Sequence, residues 1–115
     1  MERADTREDI LRRDYSEEFD RLRKNRMVQS HYKYGWVRET YLTKLADAIG
    51  SMEKRIELYK ETGNTEWLVD AANFAMIEFM YPQHPCPCFR STASCESPGL
   101  DGISAKELLE NKEGE

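Results

Sequence analysis

The sequence feature that most limits the possible folds is a strongly apolar segment between Thr65 and Pro82. It reads EWLVDAANFAMIEFMY, and at about 100° per residue its apolar side chains fall on nearly every side of a helix. A helix of this kind is expected to be enclosed by other protein. Thr65 is a good N-cap and Pro82 cannot continue a helix, so we predict a helix from about Glu66 to Tyr81.

The preceding segment, from about Thr40 to Thr62, has the period of an amphipathic helix. Gly63 and Asn64 end this helix, and so short a turn folds the two helices antiparallel. We therefore predict a central antiparallel helix pair. In the helix from about Thr40 to Thr62, the core stripe is expected to be Leu45, Ile49, Met52, Ile56 and Tyr59.

The N-terminal part of the chain also has helical signals. Asp5 or Thr6 can cap a first charged helix, and Ser16, followed by two glutamates, starts a second helix that breaks near Gly35. No run of alternating apolar and polar residues is long enough for a confident strand. The expected fold class is all-α, a small helical bundle built around the central antiparallel pair.

The length of 115 residues predicts a single helical domain, with its core in about residues 16–81. All four prolines and all three cysteines lie within residues 82–103, so we predict an extended strap there. Ser104 and Glu107 form a capping-box pattern, which predicts a short C-terminal helix over residues 104–110.

The content of charged residues limits the classes of protein to which the chain can belong. With 22 acidic and 17 basic side chains the net charge is -5, which argues against general nucleic-acid binding, although a local basic patch can still meet a phosphate. A composition with 34% charged residues excludes a membrane protein. No apolar stretch follows the charged N-terminus, so we expect neither a signal nor a transit peptide and a cytoplasmic location.

The predicted strap contains His84, Cys86, Cys88 and Cys95, which are the ligand types of a tetrahedral zinc site. Their C-x-C spacing differs from the usual zinc knuckle, and the neighbouring prolines restrict how the thiols can turn inward. In a reducing compartment, free thiols are the better interpretation of these cysteines.

A polar stripe on the apolar helix is the first candidate for chemistry. Glu66, Asp70 and Asn73 are spaced by four and then three residues, so they share one side. Because a buried carboxylate is costly alone, Asp70 needs an Arg or Lys, a set of hydrogen-bond donors, or a divalent cation. Glu53 and Glu57 on the preceding helix favour Mg²⁺, which prefers carboxylate oxygens and the phosphates of a substrate.

These residues resemble a known superfamily. A pair of glutamates on one helix, a brief turn, and then Glu66 and Asp70 opening a helix that reads LVDAANFA is similar to the MazG-like, all-α nucleoside triphosphate pyrophosphohydrolases and to related phage nucleotide-modification domains. The resemblance covers about residues 19–81. Both acidic pairs here are spaced by four residues, whereas the superfamily usually spaces them by three.

The resemblance implies a magnesium-dependent reaction. In that superfamily, acidic groups hold Mg²⁺ against the triphosphate, and an activated water releases pyrophosphate and a nucleoside monophosphate. The implied metal ligands here are Glu53, Glu57, Glu66 and Asp70. The implied catalytic residues are Glu53, Glu66 and Asp70, with Asn73 as an inner-shell or nucleotide-contacting neighbour.

A basic and aromatic run from Arg21 to Arg38 is the second candidate element. A triphosphate site needs cations and an aromatic face for the base, and this run offers both around Gly35. Lys33 is the preferred phosphate contact. The expected substrate-binding residues are Lys33, Tyr34 and Arg38, together with Asn73.

Each of these features also has a plain structural interpretation. Asp70 and Asn73 can hold helices in register through hydrogen bonds. Glu53 and Glu57 can belong to a solvated face that also carries lysines, and Glu66 can be a first-turn residue favoured by the helix dipole. The basic run can be a solvated face beside core aromatic residues.

Two functions therefore stand side by side. The first is a magnesium-dependent nucleoside triphosphate pyrophosphohydrolase-like protein that hydrolyses or binds nucleotides. The second is a small, non-enzymatic helical interaction protein of phage or mobile-element origin. In either case the helix that is apolar all round predicts a homodimer or a higher homo-oligomer, because so short a chain has few other helices to cover it.

Overall fold

The computed structural model describes residues 4–92, and within them the chain forms five helices and no strand. The helices are α1 (Arg7–Asp14), α2 (Glu17–Tyr34), α3 (Val37–Leu42), α4 (Ala48–Thr62) and α5 (Glu66–Met80). The expected all-α class is confirmed. The chain divides into two units, Met1–Pro85 and Cys86–Glu115, and all five helices belong to the first.

The strap is described only in part. Residues 82–92 contain no helix or strand, as predicted. The rest of the predicted strap, Cys95 and the predicted helix over residues 104–110 lie outside the described residues.

Most of the predicted helix starts and ends follow from short-range hydrogen bonds. The exception is Thr65, which makes no side-chain capping bond at the start of α5, where the Glu66 amide donates to Asn64 Oδ1 at 3.1 Å. Thr6 and Asp9 form a capping box at the start of α1, and the Ser16 hydroxyl accepts a hydrogen bond from the Phe19 amide at 2.9 Å. Gly35 ends α2 with a φ of 83°, and Gly63 ends α4 in the left-handed conformation. Residues with a Cβ rarely adopt such φ values, which explains why a glycine ends both α2 and α4.

The centre of the fold is the pair formed by α4 and α5. Residues 63–65 connect the two helices, whose mutual packing is the most extensive between any two described helices. α2 also packs against α5. The predicted central antiparallel pair is therefore present, and α2 is the third helix that completes the site described below.

The prediction of one continuous helix from Thr40 to Thr62 is wrong. The chain leaves the helix at Thr43, Lys44 takes a φ of 61°, and Asp47 starts α4 as an N-cap whose side chain accepts a hydrogen bond from the Gly50 amide at 3.0 Å. A Cβ at position 50 would collide with the Asp47 carboxylate, so glycine at this position permits the cap. The N-cap at Asp47 thus starts a new helix where the spacing of apolar residues predicted a continuous one.

The fully buried core is small. Its apolar members are Ala48, Val69, Ala71 and Ile77, and Asn73 is the one polar residue buried with them in the described part. Of the expected stripe, Leu45 is 81% exposed because it lies in the connection before α4, Ile49 is 39% exposed, and the others are half-buried.

Within residues 4–92, the other helices of the chain do not enclose α5 on all sides. Cover by a second copy stays a prediction. Phe79 is 72% exposed and Met80 50% exposed at the end of α5. The reason is that only α4 and α2 pack extensively against this helix. None of the helices within residues 4–92 combines the length and the apolar character that crossing a membrane requires.

Candidate functional site

A cavity of about 700 Å³ lies among α2, α3, α4 and α5. Its size falls within the range of small-molecule sites, and its wall mixes charged, polar and aromatic side chains. The lining residues are Arg26, Met27, Gln29, Ser30, Lys33, Tyr34, Gly35, Val37, Thr40, Tyr41, Ala46, Ser51, Arg55, Asp70, Asn73, Phe74 and Ile77.

Helical spacing selects the residues that α4 and α5 contribute. On α5 the lining residues are Asp70, Asn73, Phe74 and Ile77, which follow the i, i+3, i+4, i+7 pattern of one helix face. On α4 they include Arg55 and the residue one turn before it, Ser51. Two members of the polar stripe predicted on α5, Asp70 and Asn73, therefore line the cavity, whereas Glu66 does not.

Asp70 is paired with an arginine, the first of the three partners considered for it. Arg26 on α2 donates from Nε and Nη2 to the two carboxylate oxygens of Asp70, at 3.0 and 3.2 Å. The Asp70 side chain is only 14% exposed, so this bidentate pair compensates much of the cost of burying its charge.

Arg26 also contacts Glu66, with Nη1 at 3.1 Å from the Glu66 carboxylate. The hydrogen bonds that Arg26 donates to Asp70 raise the pKa of the Arg26 guanidinium above its ordinary value, against the opposing effect of partial burial. Glu66 and Asp70 are thus brought together as predicted, but around an arginine that ties α2 to α5.

Asn73 lies deep in the wall and is 6% exposed. Its Nδ2 donates a hydrogen bond to the backbone oxygen of Arg23 at 3.1 Å, which is a second link between α5 and α2. Its Oδ1 is buried without a hydrogen-bond partner in the described structure.

Arg55 places a second unsatisfied group on the wall. Its guanidinium lies over the Phe74 ring, 4.9 Å from the ring centroid, and its Nε is buried without a hydrogen-bond partner. Arg55 forms no ion pair with any carboxylate of residues 4–92. A half-buried cation is therefore held against an aromatic face without a neutralising charge.

Lys33 and Tyr34 line the cavity from the C-terminal end of α2. The Lys33 ammonium is 5.3 Å from the centroid of the Tyr34 ring, and this lysine likewise has no ion pair within the described part of the chain. Tyr41 of α3 is half-buried in the same wall. Burial raises the pKa of the Tyr41 phenol, although the charge of Arg55 acts in the opposite direction. Tyr41 therefore presents a neutral hydroxyl.

The structure does not place Glu53 and Glu57 with the other candidate ligands. Each is two residues from a cavity-lining residue of α4, Ser51 or Arg55, and two residues on a helix correspond to about 200°. Both glutamates therefore point away from the cavity. Glu57 is 67% exposed and pairs with Lys60 at 3.5 Å.

The donor set consequently does not fit the implied magnesium ion in this arrangement. Both oxygens of Asp70 are held by Arg26, and the two glutamates of α4 face the other side. Among the described residues, no three or more His, Cys, Asp and Glu side chains are grouped so that they could hold a metal ion. Magnesium binding stays a prediction, and no step is derived through it.

Of the expected substrate-binding residues, Lys33, Tyr34 and Asn73 line the cavity, whereas Arg38 is exposed and does not. Sequence reasoning missed Arg55 and Phe74 as a pair. The available signal was the position of Arg55 beside the apolar stripe of α4, where its stem had to be partly buried.

In the strap, Cys86 and Cys88 are exposed and form no disulfide within the described residues.

No family model matches the chain, and comparisons with curated proteins and with solved structures returned no match.

Proposed function

We propose that the chain binds a nucleotide, a ring-bearing organic phosphate, in the cavity among α2, α3, α4 and α5. The observation that carries this proposal is the pair of cations on the cavity wall, Lys33 and Arg55, that no described carboxylate neutralises. In a chain with a net charge of -5, two such cations beside one cavity favour an anionic occupant.

Two features of the wall support a phosphate in particular. The guanidinium of Arg55 offers several N–H donors in a planar fork that matches phosphate oxygens, and Lys33 offers a mobile point charge. Tyr41 adds a neutral hydroxyl in the same wall, since burial holds its pKa above the ordinary value. Arg26 is less available, because Asp70 and Glu66 already occupy it.

Two aromatic rings support a ligand that also carries a base. Tyr34 and Phe74 line the cavity, and each has a cation placed against its ring. A base that stacks on either ring lies next to the cation that would hold its phosphate. The resemblance to MazG-like proteins points to the same ligand class, a nucleoside triphosphate.

The proposal concerns binding and does not extend to turnover. Asp70 is the one carboxylate that lines the cavity in the described structure, and it is engaged by Arg26. Hydrolysis to a monophosphate and pyrophosphate would require a carboxylate that positions or deprotonates water. Release of Asp70 from Arg26 would be the first step toward such a site.

Isothermal titration calorimetry with a panel of nucleoside and deoxynucleoside triphosphates tests the proposal, with Mg²⁺ and with a chelator. We expect binding for at least one member under both conditions, because fixed cations supply the charge complement. Arg55→Met should weaken this binding about tenfold or more, the effect of losing one charge-assisted contact. Lys60→Met is the control, because Lys60 is 67% exposed and pairs with Glu57 away from the cavity.

Absence of heat for every nucleotide would refute the proposal and favour the alternative, a non-enzymatic interaction protein. Binding that Arg55→Met and Lys60→Met weaken equally would show that general charge, and not the cavity, attracts the ligand. A parallel assay for pyrophosphate separates turnover from binding.

A further inference from the structure

The junction of α2 and α3 carries a cluster of exposed rings that the proposed nucleotide cavity does not use. We call it the aromatic corner and define it by His31, Tyr32 and Trp36, with Arg38 beside them in α3. Tyr32 is 85% exposed and Trp36 is 67% exposed. None of these four residues lines the cavity.

The rings of the aromatic corner are ordered against one another. The half-buried His31 ring lies 4.4 Å from the Trp36 ring with a tilt of 59°, and it meets the Tyr32 ring at 5.7 Å and 69°. The left-handed turn at Gly35, with a φ of 83°, brings Trp36 back onto the helix end that bears His31. His31 thus supports two rings whose other faces are open to solvent.

The local charge around these rings is opposite to the charge of the whole chain. Of the six Lys and Arg side chains in residues 21–38, Arg21, Arg23 and Arg26 are paired with carboxylates. The cations nearest the rings are Lys33 and Arg38, with Glu39 as the next acidic residue, whereas the net charge of the whole chain is -5. Arg38 is exposed and forms no ion pair within residues 4–92, and the same holds for Lys33 close by. The aromatic corner is therefore an uncompensated positive site on an acidic protein.

We propose that the aromatic corner binds single-stranded nucleic acid. Unpaired bases stack on the open faces of Trp36 and Tyr32, and Arg38 contacts the phosphate backbone. Proteins that bind single strands with little sequence preference combine these two elements, a positive groove and exposed aromatic rings. A duplex does not suit the corner, because its bases are already stacked and paired.

Charge also separates this occupant from a second copy of the chain. A two-fold contact between two copies would place the same corner against itself, and the cations of one copy would face those of the other. A polyanion instead gains from each cation it meets and releases counterions on binding. No ring of the corner lines the proposed nucleotide cavity, and Lys33 is the residue that both arguments use.

Fluorescence anisotropy of a labelled oligothymidylate of about 12 nucleotides tests the inference, with a duplex of the same length beside it. We expect Trp36→Leu to weaken binding of the single strand about tenfold and Tyr32→Ala to weaken it several-fold. Tyr15→Ala is the matched control, because the Tyr15 hydroxyl donates a hydrogen bond to Asp20 near the opposite end of α2, about 18 Å along the helix from Tyr32. This control should bind as the wild type does.

Further readouts separate the two proposals. Arg55→Met should leave binding of the oligonucleotide unchanged while it weakens mononucleotide binding.

The logarithm of the affinity for the single strand should fall with the logarithm of the salt concentration with a slope of about -1.4 if two phosphates are contacted. Tyr32 is so exposed that its variant should fold normally, which circular dichroism checks.

Four results would overturn the inference. The first is no binding of the single strand at low ionic strength, and the second is equal binding by the wild type, Trp36→Leu and Tyr32→Ala. The third is a wild-type dimer that Trp36→Leu converts to a monomer, since a second copy would then cover the corner. Equal affinity for the duplex would also contradict a stacking mechanism.

Discussion

Arg26 is the residue on which the described site depends most. It holds both oxygens of Asp70 and contacts Glu66, so it joins α2 to the N-terminal half of α5 through charged hydrogen bonds. The sequence predicted that Asp70 needs a partner and left an arginine among the options. It did not identify which arginine, because that depends on the packing of α2, 44 residues earlier in the chain, against α5.

We expect Asp70→Asn to lower the free energy of unfolding by about 1–3 kcal/mol, because Arg26 loses the bidentate carboxylate partner that lies at the largely buried position 70. Glu66→Gln should change it by less than about 1 kcal/mol, since Glu66 is 55% exposed and exposed pairs contribute little. Urea unfolding in the absence of metal measures both values. Equal effects of the two variants would contradict the assignment of Asp70 as the structural partner of Arg26.

At the scale of elements, helix ends were predicted better than helix faces. Thr6, Ser16, Gly35 and Gly63 act through neighbouring residues, so their roles can be derived from the sequence. The division of the predicted helix at Lys44 depends on a non-glycine residue in the left-handed region, which carries no sequence signal.

The same limit applies to the site. The stripe of Asp70 and Asn73 could be predicted from spacing alone, and it lines the cavity. The outward direction of Glu53 and Glu57 could not be predicted, because a shift of about 100° decides which face of α4 meets α5. The contact of Arg55 with Phe74 joins two helices and has no local signature.

α3 is short and is tied to the end of α5 by one side chain. The side-chain amide of Gln83 donates from Nε2 to the backbone oxygens of Tyr41 at 3.3 Å and Ala46 at 2.9 Å. These two acceptors lie on either side of Lys44, which is in the left-handed region. This tether holds the segment that contributes Tyr41 to the cavity wall. It therefore stabilises one side of the site without contacting a ligand.

We expect Gln83→Ala to increase hydrogen exchange of the backbone amides in residues 37–46 several-fold, since two hydrogen bonds are lost. Amides in the middle of α5 should be unaffected. Asn25→Ala, an exposed amide side chain on α2, is the control and should leave exchange in this segment unchanged. Unchanged exchange in Gln83→Ala would show that the tether is dispensable.

At the scale of the whole molecule, the small core has a consequence for association. Few apolar side chains of residues 4–92 are buried, while Leu45, Ile49, Phe79 and Met80 are exposed where the start of α4 meets the end of α5. Surface of this kind on a small helical protein favours contact with a second copy. The homodimer predicted from the sequence stays a prediction, and the structure suggests where to test it.

We expect light scattering at micromolar concentration to show a dimer or a higher oligomer, which Met80→Lys should dissociate because a charge would enter the apolar contact. Val28→Lys is the matched control, since Val28 is 56% exposed on α2. A wild-type monomer at this concentration would contradict the prediction.

The central claim is that Lys33 and Arg55 make the cavity a site for a nucleotide, and NMR titration of the ¹⁵N-labelled protein tests it most directly. The Nε–H group of Arg55 gives its own signal and is buried without a partner. A nucleotide that binds as proposed should shift this signal, together with the amides of Tyr34 and Phe74, and leave those of Glu53 and Glu57 in place. Shifts confined to other surfaces, or none at millimolar nucleotide, would contradict the account.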